Sequence, residues 1–144
     1  MLRGSQPAKI DDKGRLKVPA GFRGIIEPRY GRDFFVTSFR GDSARVYPIE
    51  VYATFEERLR QSSQVDPLVD RLRNAVNYYG QSAVMDAQGR IPIHNLLREK
   101  VGINGEVIVV GHQEFLRVWN RESFEKQQKP FTDDELRGLA ALGF

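Results

Sequence analysis

Two short segments of this 144-residue sequence carry the side chains best spaced for chemistry: Asp11-Asp12-Lys13-Gly14-Arg15 and Asp86-Ala87-Gln88-Gly89-Arg90, each a D-x-x-G-R. An aspartate at the first position of a turn can accept bonds from the turn's own N–H groups. A glycine three residues on can take the left-handed backbone of a bulge. This makes Asp11, Gly14, Asp86 and Gly89 turn-shaping residues. The arginines that follow are not required by turn or bulge. Arg15 and Arg90 could fork onto guanine O6 and N7, about 1–3 kcal/mol of base discrimination, or onto a phosphate. They could equally form an ion pair with Asp11 and Asp86 inside the same turn, and spacing alone leaves both roles open.

Other chemistries lack their residues. Asp11 and Asp86 could be read as an acid–base pair, but turn bonding accounts for both and no nucleophile–base constellation accompanies them. The absence of cysteine removes thiolate ligands, cysteine nucleophiles and disulfides together, which suits a reducing compartment. His94 and His112 are too few for a metal site and have no carboxylate at ligand spacing. The glycines follow neither the dinucleotide-binding nor the phosphate-loop pattern. The expectation is therefore a protein that is not an enzyme and holds no metal or cofactor. The longest aliphatic run, residues 107–110, is far short of the roughly 20 residues a spanning helix needs. Nor do the first 17 residues contain the apolar stretch of a secretory signal. A soluble, cytoplasmic chain without a membrane partner is expected.

The elements that must position the two arginines come as a repeat. Residues 8–18 (AKIDDKGRLKV) align with 83–93 (AVMDAQGRIPI) at an offset of 75, and the match extends to Arg23 with Arg98. Further on, Phe35-Val36 matches Val107-Ile108 and Arg45-Val46-Tyr47 matches Arg117-Val118-Trp119 at an offset of 72. Each copy reads as a hairpin tip, a short helical turn, two strands and one or more helices. Two copies in one chain imply an internal pseudo-twofold. The boundaries are 1–76 for the first repeat with its helical extension, and 77–144 for the second with its helical tail.

Strands are expected over 34–38, 44–47, 107–110 and 115–119, with turns at Arg40-Gly41-Asp42, Asn104-Gly105 and His112-Gln113-Glu114. Pro48 opens a helix whose Tyr52, Phe55 and Leu59 fall on one stripe. Asp66 caps a second, with Pro67 at its first position, stripe Leu68, Leu72, Ala75/Val76, Tyr79, and a stop at Gly80. Asn120 can cap a shorter helix carrying Phe124. Thr132-Asp-Asp-Glu135 is a capping-box pattern before Leu136, Leu139 and Leu142. These stripes are read as core packing, with the last helix either frayed or docked on a neighbouring subunit.

The net charge is only +3, yet residues 1–40 hold nine Lys or Arg against four Asp or Glu. Arg3, Lys9, Lys13 and Lys17 surround the first tip. The second has Val84, Gln88 and Pro92 where the first has Lys9, Lys13 and Lys17, so phosphate attraction should concentrate at the first hairpin. His94 stands where the first copy has Pro19.

The repeated D-x-x-G-R, the early Arg3-Gly4 and Lys13-Gly14-Arg15-Leu16-Lys17-Val18-Pro19 resemble the MraZ family. Its members are bacterial regulators of the division and cell-wall gene cluster, within the AbrB-like swapped-hairpin superfamily. The resemblance covers nearly the whole chain. It implies an α+β fold of two pseudo-symmetric AbrB-like swapped-hairpin β-barrel units with packed helices, assembled as a ring-shaped homo-oligomer. It also implies a sequence-specific regulator that binds double-stranded DNA at direct repeats in its own promoter, usually as a repressor, and that acts at the nucleoid. Carried onto this sequence, the DNA-contacting residues are Arg15, then Lys13, Arg3 and Lys17, with Arg90 as the weaker counterpart. The competing reading is an oligomeric scaffold or protein-interaction module whose arginines brace turns, because AbrB-like hairpins also build dimer interfaces.

Overall fold

The computed structural model of the chain describes residues 1–62 and 65–144. Among the described residues, eight strands and six helices follow in order: β1 (Ser5–Ile10), β2 (Arg15–Lys17), α1 (Ala20–Tyr30), β3 (Asp33–Thr37), β4 (Ala44–Pro48), α2 (Ile49–Gln61), α3 (Pro67–Tyr78), β5 (Gln81–Val84), β6 (Arg90–Pro92), α4 (Asn95–Val101), β7 (Gly105–His112), β8 (Phe115–Asn120), α5 (Arg121–Lys126) and α6 (Asp133–Ala141).

The strands form one antiparallel sheet in the order β5-β3-β4-β8-β7-β1-β2-β6, and β5 returns close to β6, so the sheet is a nearly closed barrel. This is the α+β, barrel-like architecture expected. Exchange each strand for its repeat counterpart, β1 with β5, β2 with β6, β3 with β7 and β4 with β8, and the order around the barrel is unchanged. The pseudo-twofold therefore passes between β2 and β6, where Leu16 faces Ile91, and between β4 and β8, where Arg45 faces its own counterpart Arg117. Like charges directly opposed across strands repel. Here Arg45 lies over the Phe39 ring at 3.9 Å, while Arg117 lies over Trp119 at 4.5 Å and bonds Asp42 at 3.2 Å.

The halves are interleaved. β1 of the first copy pairs with β7 of the second from Ser5↔Val110 to Ile10↔Gly105, and β5 of the second pairs with β3 of the first. Alternation fills the barrel: Val107, Val109, Leu116 and Val118 point inward with Leu16, Ile91 and Val46, all fully buried. Helix α1 is longer than the short turn expected, because Pro28 falls near its end and forgoes only one backbone bond.

Most caps read from the sequence are present. Asp66 accepts from the Leu68 N–H at 2.9 Å, Asn120 from the Ser123 N–H at 3.0 Å, and Thr132 and Glu135 form a reciprocal capping box. The stripes are another matter. Tyr52 is buried beneath stacked Phe35 at 4.2 Å, but in α3 only Val76 is buried and Leu68 remains 68% exposed, while no residue of α6 is buried. Helical periodicity marks a face that favours burial; it does not say that the same chain supplies the cover.

Candidate nucleic-acid interface

Each D-x-x-G-R folds as its residue types require. In the first tip the Gly14 N–H donates to the Asp11 carbonyl at 3.0 Å, the Asp11 N–H donates to the Arg15 carbonyl at 3.0 Å, and Gly14 sits at φ +80°. Asp11 Oδ1 accepts from the backbone of Lys13 at 3.0 Å and of Arg15 at 2.9 Å. The second tip repeats this: Gly89 sits at φ +81°, and Asp86 Oδ1 accepts from the N–H groups of Gln88 and Arg90, both at 2.9 Å. Donors crowd both carboxylates, the following arginine's backbone N–H foremost. Asp11 is held below the usual carboxylate range and Asp86 is lowered to about 2.

The arginines use one edge for the turn. Arg15 Nε donates to Asp11 Oδ2 at 2.9 Å and Arg90 Nε to Asp86 Oδ2 at 2.8 Å, each guanidinium being a little under one-third exposed. The intra-turn ion pair left open by the sequence is thus formed at both tips. Among the described residues neither arginine has a hydrogen bond from its terminal Nη atoms, so the fork edge keeps its donors for another acceptor.

The β2–β6 pairing brings the candidates together. Arg15 lies opposite Pro92 and Lys17 opposite Arg90, so these four residues share one face, while Leu16 and Ile91 point into the barrel. Three cations thereby meet on the pseudo-twofold, and Lys17 Nζ also donates to the Gln88 carbonyl in the second tip. Lys13 is exposed at the apex of the first turn. Arg3 is not brought to this patch: it precedes β1, whose Ser5–Ile10 span separates it from the tip by roughly 17 Å of extended chain. Lys9 faces Glu106 across β1 and β7.

Two residues that sequence reasoning aligned without assigning a role support the tips from beneath, each crossing to the other repeat. A Cβ on Gly14 would meet the Arg98 guanidinium carbon at 2.7 Å, and one on Gly89 would meet Arg23 Cδ at 2.9 Å. Arg23 also donates to the Ala87 carbonyl at 2.8 Å, and Arg98 to the Ile93 carbonyl at 2.8 Å. Their charges differ. Arg23 is paired with Glu27 at 2.8 Å, whereas Arg98 has Gly102 at the corresponding position and contacts only neutral acceptors among the described residues. The uncompensated guanidinium therefore lies under the first tip, reinforcing Lys13, Arg15 and Lys17. The alignment of Arg23-x-x-x-Glu27 with Arg98-x-x-x-Gly102 held this signal.

His94 occupies the same extended conformation before α4 as Pro19 does before α1, which explains the exchange of one for the other. Among the described residues no group of three or more His, Cys, Asp or Glu could hold a metal ion, and no helix is long and apolar enough to cross a membrane.

The chain is similar throughout its length to proteins of known family. The family described as "MraZ protein, putative antitoxin-like" matches residues 80–141. A protein of Koribacter versatilis is 46% identical over 146 residues and one of Acidobacterium capsulatum 40% identical over 145, each comparison covering 99% of both chains. A Neisseria meningitidis protein is 30% identical over 97% of this chain and 93% of its own. All three bear the name transcriptional regulator MraZ.

Proposed function

The chain belongs to the MraZ family of transcriptional regulators, a role that is not enzymatic, and from that premise we propose that it binds double-stranded DNA sequence-specifically through its first hairpin tip. The observation that carries this reading is the single exposed face of β2 and β6 that gathers Arg15, Lys17 and Arg90 beside Lys13. Arg15 enters a groove with its Nη edge toward a base or phosphate while Nε stays tied to Asp11, so the fork is pre-oriented before DNA arrives. Lys13 and Lys17 neutralise flanking phosphates. Arg90 makes the weaker contact, because Gln88 and Pro92 flank it where the first tip has Lys13 and Lys17. Arg3, at the far end of β1, contacts the backbone outside this patch.

In this reading, subunits assembled as a ring engage direct repeats in the promoter of the protein's own division and cell-wall gene cluster, and repress it at the nucleoid. Several weak tips then add through effective concentration, which compensates for the modest charge of each.

The test is a binding titration of the purified chain with DNA from upstream of its own gene, against scrambled DNA of equal composition. Arg15→Ala lowers specific affinity by roughly 5- to 150-fold per engaged tip, the loss of one bidentate base contact, with folding and assembly unchanged. Undiminished affinity in that variant would remove Arg15 from the interface.

One observation favours the scaffold reading: the Arg15–Asp11 and Arg90–Asp86 pairs give both arginines a bracing role that needs no nucleic acid. A scaffold shows no preference between the two DNAs, so the same titration separates the readings.

A further inference from the structure

The C-terminal helix α6 presents a physical problem. An isolated helix of nine residues is marginal in water, since nucleation is unfavourable and few bonds repay it. This one is closed at both ends. Thr132 and Glu135 form the capping box at its start. At its end Gly143, at φ +94°, lets the Gly143 N–H reach the Ala140 carbonyl and the Phe144 N–H reach the Leu139 carbonyl, both at 3.0 Å, which is a Schellman closure. Yet none of its residues is buried: Leu136 is 49% exposed, Leu142 74%, and the flanking Phe131 and Phe144 are 64% and 89% exposed. Such a face stands apart from the scattered apolar residues of an ordinary surface.

An apolar concavity lies elsewhere on the same chain. Helix α3 and Phe39 form an open groove of about 560 Å³ lined by Leu68, Leu72, Ala75 and Arg71. Leu68 is 68% exposed there, although its helical stripe marks it for burial. The charges are complementary: α6 opens with Asp133, Asp134 and Glu135, and although Asp134 pairs with Arg137 and Glu135 accepts from the Thr132 N–H, Asp133 is left to face the Arg71 that the groove carries.

We infer that α6 of one copy docks its leucine face into the α3 groove of a second copy; this inference rests on the self-assembly within the reading above and gives that assembly a contact. A tail on one surface meeting a groove on another is a heterologous contact, which passes from copy to copy and closes into a ring where the rotation permits. Residues 127–132 before α6 provide up to roughly 20 Å of reach.

The experiment is mass measurement by light scattering on the full chain, with Leu136→Asp as the tail variant and Leu68→Asp as the groove variant. Both positions are exposed, so folding should survive, and circular dichroism checks this. The wild-type protein is expected at a multiple of its 16.5 kDa subunit mass, and each variant alone at a smaller mass. Mixed one to one, the variants recover a single sound contact, from the groove of one and the tail of the other, so they pair but do not propagate. If both variants keep the wild-type mass, the tail-groove contact is overturned while self-assembly stands. A wild-type chain that is monomeric at every concentration overturns both. Variants that shrink but do not pair on mixing overturn the heterologous geometry, because a tail folded onto its own groove behaves that way.

Discussion

At each tip the arginine meets the turn with one edge of its guanidinium and, in the reading proposed above, meets DNA with the other. Nε closes the turn on Asp11 or Asp86, and among the described residues the Nη donors make no hydrogen bond. A lysine in that place would offer one ammonium to both tasks, so the two cations are not interchangeable here. The tip aspartates can be titrated directly. Asp86 has its pKa lowered to about 2, chiefly by the Arg90 backbone N–H, so its carboxylate contributes stability that is fully present above the ordinary value near 3.8 and is lost as pH falls toward 2. Carbon-detected NMR should place its midpoint near 2, and the turn bonds to Gln88 and Arg90 should persist at pH 3. A midpoint at the ordinary value would mean that the turn does not hold its carboxylate in solution. The turn chemistry of Asp and Gly was legible in the sequence because it is local. The arginine pairing was one of two open roles, since spacing does not reveal which edge of a guanidinium is in use.

At the level of elements, the two tips depend on helices from the opposite repeat. Gly14 meets two demands, a left-handed backbone and room for Arg98, whereas Gly4 has a similar φ of +78° and open space, with no atom within 4 Å of where a Cβ would stand. Gly4→Ala should therefore cost only the conformational penalty, about 1–2 kcal/mol, while Gly14→Ala costs that and displaces the Arg98 guanidinium besides. Urea denaturation of both variants checks this, and equal losses would show that Arg98 yields freely. Sequence patterns located the caps of α3, α5 and α6 because a cap is decided within a few residues. They assigned Leu68 of the α3 stripe to the core, where it is exposed although Val76 of the same stripe is buried, and left α6 either frayed or docked, because an amphipathic pattern is silent about what covers it. Arg98 escaped notice for a similar reason: its contact with Gly14 spans 84 positions of sequence.

For the molecule as a whole, the repeat announced the pseudo-twofold, but the strand order could not be read from it. The expected units each contribute strands to the other's neighbourhood, and pairings such as β1 with β7 leave no periodic trace in either segment. In the reading proposed above, with about two phosphates neutralised by each of about four engaged subunits, log K for operator DNA should fall against log salt with a slope near −7. Titration across salt measures it, and a slope near zero would remove the electrostatic account of binding. The β1–β7 ladder has a consequence in time as well. Ser5 waits for Val110, about 100 residues downstream, and ribosomes add roughly 5–20 residues each second, so the first strand spends on the order of 5–20 s outside the ribosome before its partner exists. Through that interval its backbone donors and acceptors are open to other chains, including nascent copies from the same message, and the barrel closes only once β7 and β8 have emerged.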